Sequence, residues 1–226
     1  MNKEHRKIRA MIFDLDGVIT DTAKYHYEAW KLLADELGCP FDRKFNEQLK
    51  GIDRMASLEK ILSQLPDGGK FYTMEQKQEW AARKNENYQL LIKRVDESDI
   101  LPGILDLFRD LKQAGIPSGL ASASRNARTL VRQLKVESYF DVIVDPASVA
   151  HGKPAPDIFL KAAEEMGVDP RYCVGVEDAE AGIRAIQSAG MFAVGVGDAD
   201  ALSAADFIVA ETGLLTLEKI RKQFER

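Results

Sequence analysis

The sequence predicts an α/β fold: a three-layer core of parallel sheet with helices on both faces, split after its first strand by a helical segment. Three observations carry this. Residues 8–13 form a short apolar run that ends in Asp14-Leu15-Asp16-Gly17. Residues 22–95 are charged, helix-patterned and nearly free of strand signals. From Asp99 onward apolar runs alternate with helical stretches, and repeated strand–helix–strand units call for a parallel sheet covered on both sides.

The elements follow in order. Residues 8–13 read as a buried strand, and Gly17 permits the sharp turn after it. This strand must join the later ones, because alone it is not stable. Helices are expected over 25–37, 43–49, 56–65 and 74–94, with Pro66-Asp67-Gly68-Gly69 marking a turn. Strands are then expected over 116–121, 140–144, 173–176, 192–196 and 207–209, and helices up to 134, over 157–166 and over 179–189. The expected division is a core of 1–20 with 96–226 and a helical cap of 21–95. There is no internal repeat, low-complexity tract or long linker.

Composition narrows the function. The chain has 226 residues, 45% hydrophobic and 30% charged, which is the balance of an ordinary globular protein. A formal charge of −5 argues against a general nucleic-acid binder. No apolar run is long enough to span a bilayer and residues 1–9 are charged and polar, so no membrane is expected. Cys39 and Cys173 make no disulfide framework, and Cys173 reads as a small buried hydrophobe. The expected setting is a reducing cytoplasm. A monomer is expected, since no exposed apolar helix demands a partner.

Ligands of open parallel sheets sit beyond the carboxyl ends of the strands. Four such ends carry polar residues here: Asp14 and Asp16, Ser122, Asp145 with nearby Lys153, and Glu177-Asp178. Asp14 and Asp16 sit two apart, so an extended chain points both carboxylates to one side, where they repel unless a cation intervenes. Magnesium prefers such oxygens and would shield an incoming phosphate. One carboxylate would then attack phosphorus while the other, protonated, serves the leaving oxygen. Turn-capping aspartates are an equal reading of this pair alone. Glu177 and Asp178 could complete a metal site, although Asp178 also suits a helix N-cap. Ser122, Ser124 and Arg125 precede a helix and suit a phosphate seat, or the serines simply cap that helix. Lys153, in a loop stiffened by Pro154 and Pro156, could balance anionic charge. His151 reads as an exposed loop residue.

Taken together, Asp14-Leu15-Asp16-Gly17-Val18-Ile19-Thr20-Asp21-Thr22, the serine strand end, Lys153-Pro154 and Glu177-Asp178 resemble the haloacid dehalogenase superfamily. Their order and spacing match its four motifs across the whole chain. The resemblance implies a Rossmann-like core with a helical cap inserted after the first strand. Within the superfamily, His26, Trp30, the stretch 45–54, Ser57, the stretch 83–88 and 121–124 resemble its sugar-phosphate mutase branch. Ala123 stands where many phosphatases of the superfamily carry asparagine. Arg125 stands where a lysine is usual, replacing a point donor by a flat fork.

This resemblance implies a Mg2+-dependent isomerisation of β-D-glucose 1-phosphate to glucose 6-phosphate through β-glucose 1,6-bisphosphate. Asp14 would be the phosphorylated nucleophile and Asp16 the acid and base. Asp14, Asp178 and the backbone carbonyl of Asp16 would hold the metal, with Glu177 in or beside its shell. Ser122, Ala123, Ser124, Arg125, Asn126 and Lys153 would hold the transferring phosphoryl group, and Arg54 the other phosphate. His26, Trp30, Gly51, Ser57, Lys84 and Asn85 would shape the sugar site or the cap hinge. Read without the resemblance, Trp30 is as well placed to pack in the cap, and Arg54 and Lys84 are surface charges. A sugar-phosphate phosphatase is the alternative activity, and a non-catalytic sugar-phosphate-binding module a further one.

Overall fold

The computed structural model describes residues 7–225. Among them, β1 (Ala10–Phe13) is the centre of a six-stranded sheet. The others are β2 (Ser118–Leu120), β3 (Val142–Ile143), β4 (Cys173–Glu177), β5 (Phe192–Val196) and β6 (Phe207–Val209). Their order is β3-β2-β1-β4-β5-β6, and every pairing is parallel. The sheet therefore winds outward in both directions from β1. Phe13 stands beside Leu120 on one side and Val176 on the other, so three chain segments leave the sheet at one level. The expected strands are all present, with shorter ladders at β2 and β3. At the β3 edge, Phe140 closes a 3-10 turn before pairing begins.

Alternation along β1 divides the core. Met11 and Phe13 face one apolar layer, packed with Leu107, Phe108, Leu130 and Ile220. Ala10 and Ile12 face the other, with Ile158, Phe159, Ile183 and Ile186. Thus α5 (Ile104–Gln113), α6 (Ala127–Gln133) and α9 (Leu217–Phe224) cover one face. The opposite face is covered by α7 (Asp157–Glu165) and α8 (Glu180–Ser188). Two of these helices, α5 and α9, go beyond the sequence reading. The apolar spacing Ile104, Leu107, Phe108 and Leu111 marks α5 plainly once it is looked for.

The insert between β1 and β2 comprises α1 (Ala23–Glu36), α2 (Arg43–Glu47), α3 (Arg54–Leu62) and α4 (Met74–Leu91). It has its own apolar centre of Trp30, Leu33, Phe41, Leu58, Ile61 and Leu62. Local chemistry sets its boundaries. Asp53 accepts the N–H groups of Met55 and Ala56 to start α3, and Thr73 with Gln76 forms a capping box on α4. Both cysteines are free and buried. Among the described residues, no helix is long and apolar enough to cross a membrane.

Candidate active site

Between the insert and the carboxyl ends of the strands lies a cleft of about 1540 Å³. The site residues singled out from the sequence line it, except Glu177, which is fully buried beneath, and Asp145, which caps the turn after β3 by accepting the Ala147 N–H.

The floor is built from β1 and β4. The Asp14 N–H donates to the Val176 carbonyl at 2.9 Å, which continues the ladder one residue past Phe13 and sets the carboxylate next to the end of β4. Lys153 Nζ donates to Asp14 Oδ1 and to Glu177 Oε1, each at 2.7 Å, with all three groups buried. Burial alone would lower the proton affinity of Lys153, but the two carboxylates raise it above the ordinary lysine range, so it stays a cation. Asp178 lies against Gly17. That glycine has φ of +73°, and a Cβ on it would lie 2.1 Å from Asp178 Oδ2, so the turn excludes any other residue on both counts.

Asp14, Glu177 and Asp178 each offer a carboxylate oxygen, all within 4.8 Å of one another. Lys153 compensates the first two. Asp178 makes no hydrogen bond among the described residues, and Lys50 Nζ is 3.9 Å from its Oδ2. Burial, then the charges of Glu177 and Asp14, push its carboxyl well above the ordinary range. A divalent cation would relieve that excess charge, and an all-oxygen set suits a hard ion. The residues therefore fit such a metal. The Asp16 side chain is outside this group.

Asp16 turns instead toward the insert. It accepts a short hydrogen bond from the Thr22 hydroxyl, which also lies 3.0 Å from the Tyr88 hydroxyl. Loss of water in the narrow part of the cleft, then the charge of Asp14, raise Asp16 to about 7, opposed by the Thr22 bond. His26 Nε2 is 3.9 Å from Asp16 Oδ2, and its Nδ1 is 2.9 Å from Lys84 Nζ. Burial, then the charges of Lys84 and Arg54, hold His26 well below its ordinary value, so the ring is neutral. Nδ1 accepts from Lys84, which leaves the Nε2–H facing Asp16. Lys84 is lowered to about 7, by burial first and Arg54 second. It lies over the rings of Trp30 and Tyr88 at 4.6 and 4.7 Å.

Several readings of the sequence change here. Lys84 is not a surface charge; it is 2% exposed. Trp30 both packs in the insert and lines the cleft. Asp178 does not cap α8. It points toward Gly17, and the Ala179 N–H goes to Glu177 Oε2 at 2.7 Å. Nor do the serines cap α6, whose cap position is taken by Asn126. Ser122 Oγ accepts the Ser124 N–H and Ser124 Oγ the Asn126 N–H, both at 3.2 Å, which folds the loop rather than starts the helix. His151 is exposed as expected, but it pairs with Asp157 at 3.1 Å.

The structure also brings in residues the sequence reading gave no site role. Thr22 holds Asp16 and Tyr88 meets Thr22, and Tyr88 sits one helical turn after Lys84, a spacing that would have signalled a shared face. Gln89 Nε2 donates to Asn126 Oδ1 at 3.1 Å, and Asn126 Nδ2 donates to Asn85 Oδ1 at 2.9 Å. One face of α4 thus clamps the core loop. Arg54 of the insert and Arg125 of the core lie close enough for the charge of Arg125 to depress the proton affinity of Arg54, after burial. Neither guanidinium makes an ion pair or hydrogen bond among the described residues.

A family model of haloacid dehalogenase-like hydrolases matches residues 8–190. A β-phosphoglucomutase of Bacillus subtilis is 52% identical over 220 residues, spanning 97% of this chain and 96% of its own. A fructose-1-phosphate phosphatase of Escherichia coli is 32% identical, over 85% of this chain and 98% of its own. The crystal structure of a β-phosphoglucomutase from Clostridium difficile superposes with a TM-score of 0.92 at 47% identity, covering 96% of this chain and 97% of that one. Members of this family work with a divalent metal.

Proposed function

The chain belongs to the haloacid dehalogenase-like hydrolase family, and from that premise we infer that it is a phosphomutase acting on sugar phosphates. It interconverts β-D-glucose 1-phosphate and glucose 6-phosphate through a phospho-aspartyl enzyme and β-glucose 1,6-bisphosphate. Mg2+ suits this oxygen set; Asp14, Asp178 and the Asp16 carbonyl would hold it, with Glu177 in or beside the shell, and it would neutralise charge between the phosphate and the attacking carboxylate.

The chain's own residues do the rest. An Asp14 oxygen attacks phosphorus of the bisphosphate, and the bond from phosphorus to the sugar oxygen breaks. Asp16, protonated near neutral pH, gives its proton to that leaving oxygen. That step leaves glucose 6-phosphate; when β-glucose 1-phosphate takes its place, Asp16 accepts the proton of its 6-hydroxyl as that oxygen attacks the phospho-aspartate, which frees Asp14 and forms a bisphosphate that turns round to give up its 1-phosphate in the same way. Lys153 neutralises Asp14 and the phosphoryl oxygens, while Ser122, Ala123, Ser124, Arg125 and Asn126 surround the transferring group. His26, Trp30, Gly51, Ser57, Lys84 and Asn85 shape the sugar site. The residues divide into a core of 1–20 with 96–226 and a cap of 21–95, whose closure excludes water from the phosphoenzyme.

The pair of unpartnered guanidinium groups carries this reading. Arg54 and Arg125 both line the cleft with no carboxylate partner among the described residues, so each guanidinium is open to a phosphate oxygen. A sugar with two phosphates meets both, the transferring one beside Asp14 and Arg125 and the other at Arg54, which is the demand a bisphosphate intermediate makes. Incubation with β-glucose 1-phosphate, Mg2+ and a trace of the bisphosphate tests it. Glucose 6-phosphate is expected; release of free phosphate in its place would identify a phosphatase.

A further inference from the structure

We propose that Gly182 is a positioning residue for phosphoryl transfer: its missing side chain is what lets Glu177 hold Lys153 against Asp14. The inference deepens the reading above and depends on it only for the activity measurement.

Gly182 lies buried in the first turn of α8, where alanine would be the better helix former. Nothing in its backbone requires glycine, since it is an ordinary helical residue. The requirement comes from a side chain. A Cβ on Gly182 would lie 1.8 Å from Glu177 Oε1, 2.0 Å from Cδ and 2.4 Å from Cγ. These distances are far inside van der Waals contact, so the carboxylate fills the space a methyl group would take.

Glu177 has nowhere to retreat without giving up its partners. Oε2 accepts the Ala179 N–H and Oε1 accepts Lys153 Nζ, each at 2.7 Å. The same ammonium donates to Asp14 Oδ1 at 2.7 Å. Gly182, Glu177, Lys153 and Asp14 therefore form one chain of contacts, in which the first member's lack of bulk fixes the direction of the last member's cation. A methyl group at 182 would push Glu177 off Lys153 and leave the ammonium held by Asp14 alone. The insert residues that meet the sugar are untouched, so the effect falls on the chemical step rather than on sugar-phosphate binding.

The test is a double-mutant cycle of Gly182→Ala, Glu177→Ala and the pair, with kcat and KM for each. Gly182→Ala is expected to lower kcat about ten- to hundredfold, the usual cost of disturbing a group behind the reacting ones, with KM little changed. In the Glu177→Ala background the same substitution should change kcat by less than about twofold, because the side chain it displaces is gone. Additive losses would overturn the proposal. If Gly182→Ala does not fold, recovery of folding by Glu177→Ala supports the same dependence, and failure of both variants to fold overturns it. A second readout needs neither metal nor substrate. In protein with 15N-labelled lysine and a chelator present, the Lys153 ammonium resonance, identified by its loss in Lys153→Met, should shift or vanish in Gly182→Ala. An unchanged resonance would sink the positioning role, whereas a parent protein without mutase activity would sink only the functional reading.

Discussion

Replacing Lys153 by methionine keeps the length and apolar stem of the side chain and removes the ammonium alone. The parent Nζ makes two hydrogen bonds of 2.7 Å to carboxylates that are themselves buried. Removing one partner from a buried ionic cluster costs about 3–5 kcal/mol, because the remaining charges are left in a poor solvent. In a chain of this size each kcal/mol is worth about 2–4 °C, so the midpoint should fall by about 6–20 °C. The pH dependence carries more information than the size. Without the cation, the burial that raises Glu177 goes unopposed, so its carboxyl binds a proton more tightly folded than unfolded. A carboxyl group raised in this way destabilises the fold above its folded value, and the loss is recovered as pH falls toward the unfolded value of about 4. In the parent, the raised affinity of Lys153 works in the other window: its contribution is complete below the unfolded lysine value and is lost only as pH rises through the folded one. The deficit of Lys153→Met should therefore shrink between about pH 7 and pH 5. Urea titrations of both proteins at the two pH values, with a chelator present, measure it. A deficit under about 1 kcal/mol at neutral pH, or one that grows on acidification, would refute the picture of a buried cation balancing two ionised carboxylates.

Three other outcomes follow from the cleft. Thr22→Val removes the bond that favours the ionised form of Asp16, whose affinity of about 7 should then rise; the acid limb of the kcat profile for the half-reaction that needs Asp16 as base should move to higher pH, and an unmoved limb would count against that role. Arg54→Ala should raise KM for the sugar phosphate about ten- to hundredfold, the worth of charge-assisted hydrogen bonds, and lysine should restore little because it lacks the fork; an unchanged KM would place the distal phosphate elsewhere. Gln89→Leu removes one of the two amide bonds that α4 makes to Asn126, worth about 1 kcal/mol of the closed form. The ratio of free phosphate to glucose 6-phosphate produced should rise about fivefold, and a constant ratio would show that this clamp does not govern water entry.

The architecture was legible because each central strand is an apolar run ending in a polar pair, and because Asp14 and Glu177-Asp178 sit at ends that a parallel sheet must bring to one side. What escaped is contact that depends on side-chain direction. Asp178 at the start of a helix looks like a cap, and only the bulk of the Gly17 turn shows that its carboxylate goes elsewhere. Lys84 stands in a run of charged residues, Arg83-Lys84-Asn85-Glu86, and nothing in that run reveals which member turns inward onto Trp30 and Tyr88. Gly182 is silent in the sequence for the same reason, since its neighbour comes from the preceding strand and not from its own helix. Helix starts within the insert are legible because caps such as Asp53 and Thr73 act locally. The edge strand β3 was overextended because its apolar residues serve packing beyond the two that pair.

The placement of β1 between β2 and β4 has a consequence for how the protein comes into being. Asp14 precedes the insert, yet the strand that carries Glu177 reaches it only after the whole insert, β2 and β3 have been synthesised. Until then the growing chain displays an apolar central strand with one flank unpaired, a state open to mispairing with other chains. No partial product of translation can carry out phosphoryl transfer. Any chaperone that attends this chain during synthesis would have its longest task in the interval before residue 177 emerges.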